Sequence, residues 1–73
     1  MMQYGVALFN TTSAVMRAEK LLLKSGCQIT LIPTPREFSS DCGIALRFFW
    51  IDKGKVEAVL VSANAAAESL HVL

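Results

Sequence analysis

Asp52-Lys53-Gly54-Lys55-Val56-Glu57-Ala58-Val59-Leu60-Val61 is the stretch on which the fold turns. Read as a hairpin, Asp52 to Lys55 is a tight turn and the valine-rich Val56 to Val61 is a strand. Read as a helix, Asp52 to Lys55 is a break, after which Val56, Val59, Leu60 and Ala63 recur at helical spacing. The helical reading is preferred, because that spacing and the alanines that follow fit it better. Asn64 can cap such a helix at its end.

Working outward, Ile44 to Ile51 is a strongly apolar strand with Arg47 as its one charge. Alternation divides it into Ile44, Leu46, Phe48, Trp50 and Ala45, Arg47, Phe49, Ile51. Glu68 to Leu73 alternates and closes the chain as a short strand. Cys27, Ile29, Leu31 alternate with Gln28, Thr30, Ile32, and Pro33 stops that strand because proline cannot donate to a ladder. Tyr4 to Phe9 suits a buried strand. Asn10-Thr11-Thr12-Ser13 then offers helix N-caps, and Ala14, Ala18, Leu21 and Leu22 form an apolar stripe that ends at Ser25-Gly26. Lys20 and Lys24 suit the negative pole of that helix.

The order is strand, helix, strand, strand, helix, strand. Right-handed crossovers put both helices on one face of a four-stranded sheet. The expected fold is a ferredoxin-like α+β sandwich, βαββαβ, with an antiparallel or mixed sheet, in one domain over residues 1–73. That architecture carries many unrelated functions and does not itself name one.

Composition narrows the field. A chain of 73 residues has room for one core, and 53% hydrophobic content offsets the weakness of so small a domain. Seven basic against six acidic residues give a net charge of +1, with no electrostatic footprint for nucleic acid or an anionic membrane. No apolar run approaches the ~20 residues that span a bilayer. The start lacks the basic region and cleavage site of a signal peptide, and the chain reads as soluble and cytoplasmic. Two cysteines do not make a disulfide framework.

One of them stands out. Cys42 ends the loop Pro33-Thr34-Pro35-Arg36-Glu37-Phe38-Ser39-Ser40-Asp41-Cys42-Gly43, with polar residues before it and glycine after it. A packing cysteine normally sits inside an apolar run. Here the sulfur is expected to reach solvent. Arg36, in the same loop, offers a permanent charge to a thiolate, the nucleophilic form. Gly43 removes a side chain beside the sulfur, and the amides of Asp41, Cys42 and Gly43 can form an anion-binding concavity. Asp41 acts the other way, since a neighbouring carboxylate disfavours a thiolate. Arg36 is equally readable as a solvated residue, or as the partner of Glu37 or Glu19. A cysteine without a nearby histidine is by itself a weak catalytic signal.

Thr-Thr-x-Ala-x-x-Ala-Glu-x-x-Leu at Thr11 to Leu21, Ser25-Gly26, Ile-Pro-x-Pro-Arg-Glu at Ile32 to Glu37, and Ser-x-Cys-Gly-x-Ala-Leu-Arg-Phe at Ser40 to Phe48 carry a resemblance. Together they resemble a family of small bacterial selenium/sulfur carrier-like domains. The likeness is sharp from Ala18 to Phe48 and loose after Phe49-Trp50. It implies that Cys42 holds sulfur or selenium as a persulfide or perselenide, between a donor and an acceptor protein. Such a chain is a transfer intermediate rather than a turnover enzyme, and it needs no cofactor.

Other residues read more plainly. Cys27 is expected in the core. With strands two and three paired through the loop, it lies roughly 15 to 20 Å from Cys42 at ~3.3 Å per residue, beyond the ~7 Å that a disulfide allows. His71 is the lone histidine, and the chain supplies few companions for a metal. Phe48-Phe49-Trp50 is expected to divide between core and an exposed interface. The sheet face away from the helices is expected to be apolar whichever set of strand three it carries, which predicts a homodimer. The alternative function is a non-catalytic interaction or small-ligand module using the 33–43 loop.

Overall fold

The computed structural model describes residues 3–38 and 43–73. Its elements are β1 (Tyr4–Leu8), α1 (Thr12–Lys24), β2 (Ile29–Pro33), β3 (Ile44–Phe49), a 3-10 turn (Trp50–Asp52), α2 (Lys53–Ser62) and β4 (Ser69–Val72). The strands form one sheet in the order β2-β3-β1-β4, every neighbouring pair antiparallel. This is the expected ferredoxin-like α+β arrangement. The segment from Val56 to Val61 is helix, which removes the hairpin alternative.

Local chemistry sets the helix ends. The Thr11 hydroxyl accepts from the Ala14 amide at 3.1 Å and caps the first turn of α1. Gly26 follows that helix at φ +83°, while the Cys27 and Gly26 amides donate to the carbonyls of Leu22 and Leu23. That pair of bonds satisfies two orphan carbonyls in a Schellman closure. α2 ends the same way: Asn64 takes φ 55°, and the Ala65 and Asn64 amides donate to Leu60 and Val61. The Arg17 guanidinium also donates to the Ala63 carbonyl at 2.9 Å, tying α1 to the end of α2.

The core lies between sheet and helices. Val15, Ala18 and Leu22 of α1 and Val56 and Leu60 of α2 pack with Ala7, Phe9, Leu46, Phe48 and Cys27, all buried. Each fully buried Leu or Phe side chain contributes about 1.5–3 kcal/mol. Ile44, Leu46, Phe48 and Trp50 are thus the helix-side set of β3, and Ala45, Arg47 and Phe49 belong to the other face. Ile51 leaves the alternation: it sits in the 3-10 turn, 86% exposed. The break expected at Asp52 to Lys55 is largely the first turn of α2, where Lys53 pairs with Glu57 at 2.7 Å. Pro33 is the last residue of β2 on a sheet edge, where its missing donor costs no central ladder bond.

Candidate functional site

The candidate site is built on the β2–β3 hairpin. Register runs from Ile29 opposite Phe48 to Pro33 opposite Ile44, and the Thr34 amide donates to the Gly43 carbonyl at 3.1 Å across the mouth. Beyond it the chain turns at once. The Phe38 amide donates to the Pro35 carbonyl at 3.0 Å, so Arg36 and Glu37 occupy the middle of a turn and are exposed. Arg36 makes no ion pair among the described residues, with Glu37 and Glu19 included. Cys42 lies with Ser39, Ser40 and Asp41 outside the described residues.

Gly43 closes the loop on the β3 side. A Cβ built there meets no described atom within 4 Å, and the backbone is not in the left-handed region. Neither packing against the described residues nor backbone conformation therefore demands glycine at this position. Cys27 is settled by burial: at 6% exposure it packs in the core below α1, at the opposite end of β2 from the loop.

Sequence reasoning missed Phe38 and His71. On the face away from the helices, Val6 and Ala45 are 0% exposed and Leu8 6%, with Ile32 and Phe38 packed against them. Phe38 extends further and stacks on the His71 ring at 4.4 Å between centroids and 16° between planes. His71 Nε2 lies 3.0 Å from the Ser69 hydroxyl, which fixes the ring from its own strand. β2 and β4 are the two edges of the sheet, so this contact spans its width, about 14 Å at ~4.8 Å per strand. The face expected to lie open is therefore partly covered by the chain's own loop. An aromatic in an otherwise polar loop was the available signal; its target, three strands away, was not.

The rest of that face is different in character. Tyr4 stacks on Phe49 at 5.3 Å, and the Arg47 guanidinium lies 4.2 Å above the Tyr4 ring. Phe48-Phe49-Trp50 divides between the faces, with Phe48 buried, Trp50 half-buried against the core and Phe49 half-buried on the opposite face, none of the three being exposed. A cleft of about 350 Å³ opens at this end of the sheet, lined by Tyr4, Gln28, Thr30, Arg47 and Phe49 together with Leu23 of α1 and the helix-side Cys27, Ile29 and Phe48. It lies toward the other end of β2 and β3 from Pro33 and Ile44. No helix among the described residues is long and apolar enough to cross a membrane.

No curated protein and no solved structure matches the chain. The family described as "Putative Se/S carrier protein-like" matches residues 4–72, through both strands that frame the loop and the helices that support them, and the chain belongs to that family.

Proposed function

We infer that the protein carries sulfur or selenium on Cys42 between partner proteins. The observation that supports this reading is the pairing of a family match over residues 4–72 with the burial of Cys27, the other of two cysteines. A buried core thiol cannot meet a partner's sulfur in line, which leaves Cys42. The transfer is redox-neutral. The Cys42 thiolate attacks the outer sulfur of a donor persulfide, a new S–S bond forms as the old one breaks, and the donor leaves as its thiolate. An acceptor thiolate then attacks the same outer sulfur and Cys42 leaves as thiolate. Arg36, exposed and without an ion-pair partner among the described residues, is free to stabilise the anion at each stage. Gly43, which packing against the described residues does not require, keeps the approach clear.

The same reading makes the protein a cytoplasmic transfer intermediate with donor and acceptor proteins as partners. It also has a homodimer form through the part of the sheet face that Phe38 leaves uncovered, around Tyr4 and Phe49.

Incubation with a cysteine desulfurase and cysteine, followed by intact-mass measurement, tests the carrier role. A gain of one sulfur, removed by thiol reductant, is expected for wild type and for Cys27→Ser and not for Cys42→Ser. Loading that persists in Cys42→Ser would sink the assignment.

A further inference from the structure

We propose that the cleft at the start of β2 binds a small organic carboxylate, with its anion on Arg47 and its apolar body against Tyr4 and Phe49. The site shares no residue with the 33–43 loop, and its test involves no sulfur. Arg47 carries the argument. It is half-buried on β3, and its guanidinium lies 4.2 Å from the centre of the Tyr4 ring. That contact steadies the cation but leaves its N–H donors unused. The side chain makes no ion pair or hydrogen bond among the described residues. No carboxylate among them lines the cleft, so Arg47 is its one charge and has no counter-charge there. A single planar fork matches a single carboxylate. Register sets what surrounds it. Thr30 lies directly opposite Arg47 on β2, and Gln28 precedes Thr30 by two residues, so a hydroxyl and an amide line the cleft beside the cation. Phe49 follows Arg47 by two residues, about 6.6 Å at ~3.3 Å per residue, and stacks on Tyr4 at 5.3 Å. Leu23 of α1 and Ile29 extend the apolar wall around the start of β2. These spacings fit a carboxylate held two or three carbons from an apolar group. About 350 Å³ has room for on the order of ten non-hydrogen atoms, taking ~30 Å³ for a water-sized unit.

Titration of the full chain with 3-phenylpropionate, followed in amide proton–nitrogen spectra at neutral pH and low salt, tests this. Saturable shifts are expected at Thr30, Arg47 and Phe49, with a Kd below about 1 mM. Shifts that stay linear in ligand, or that spread over the molecule without favouring these residues, overturn the proposal. Two controls separate charge from apolar contact. 3-Phenylpropan-1-ol keeps the ring and loses the anion, and inorganic phosphate keeps an anion and loses the ring. Each should bind at least about tenfold more weakly, and either one matching the carboxylate overturns the pairing of the two features. Arg47→Met keeps the apolar stem and should weaken 3-phenylpropionate at least about tenfold, with Arg47→Lys losing less. Unchanged affinity in Arg47→Met overturns the site. If that variant fails to fold, Gln28→Glu puts a competing carboxylate at an exposed position of the same cleft and should weaken binding by about tenfold. Wild-type affinity there also overturns the site. Shifts at these residues that follow protein concentration and ignore the ligand would give the cleft to a second copy, and the proposal would fall.

Discussion

Gly5 has no side chain because its space is taken. A Cβ there would lie 2.6 Å from both Phe48 Cζ and Trp50 Cε3, whose rings lie over the β1 backbone with centroids 6.0 Å apart. Gly5→Ala must push two aromatic rings out of the core and should cost about 1–3 kcal/mol, read as a lower midpoint in urea. An unaltered midpoint would mean that the rings move freely. The cysteines make a second test at this scale. Brief alkylation of native protein followed by peptide mapping should label Cys42 and spare Cys27, which is buried in the core. Equal labelling refutes that assignment. Arg36→Ala should slow Cys42 labelling near neutral pH, with Arg36→Lys retaining part of the rate because charge survives and the fork does not. At this scale the sequence was partly legible. The apolar neighbours of Cys27 placed it in the core, where it lies, whereas the clash at Gly5 depends on the register that sets Gly5 opposite Phe48, and register is a product of pairing.

At the scale of elements, the two helices are stopped by the same device with different residues. Gly26 adopts its left-handed conformation without strain, but Asn64 holds φ 55° with a side chain. Asn64→Ala should therefore destabilise by about 1 kcal/mol while Asn64→Gly is neutral or slightly stabilising. Thermal melts of the pair check this, and equal losses in both would mean that the Asn64 side chain rather than its backbone matters. Arg17→Ala removes the donor to the Ala63 carbonyl and should cost about 0.5–1.5 kcal/mol by the same measurement. Element identity was largely legible because apolar periodicity differs between strand and helix, but the valine-rich stretch after Lys55 read both ways. Boundaries were less so. β3 gives way to a 3-10 turn at Trp50, whose amide still donates to the Gln3 carbonyl at 2.9 Å while Lys53 lies 5.7 Å from its ring. The apolar run continues through Ile51, so composition alone carries the strand two residues too far.

At the scale of the molecule, a single sheet and one layer of helices make a body 16 Å thick along its shortest axis. So thin a body leaves one sheet face without helical cover, and the chain meets that problem with its own loop. Phe38 hides Val6, Leu8 and Ala45, which lowers the demand for a second copy, while Tyr4, 36% exposed, and Phe49 remain available. Sedimentation at micromolar concentration should show a dimer that Tyr4→Lys weakens; a clean 8.0 kDa monomer would refute it. The covering was illegible in the sequence because it joins a loop, which has no periodicity, to a strand at the far edge of the sheet. That same contact has a consequence for the order of assembly. The stack needs the hairpin and the last strand in place together, so its formation follows most of the sheet. Loops that dock late contribute little to the barrier for folding and much to the barrier for escape. Phe38→Leu should therefore leave the refolding rate near wild type and speed unfolding, so that in stopped-flow chevrons only the unfolding arm moves. A slowed refolding arm would instead place Phe38 in the nucleus, and the loop would then guide the sheet rather than settle upon it.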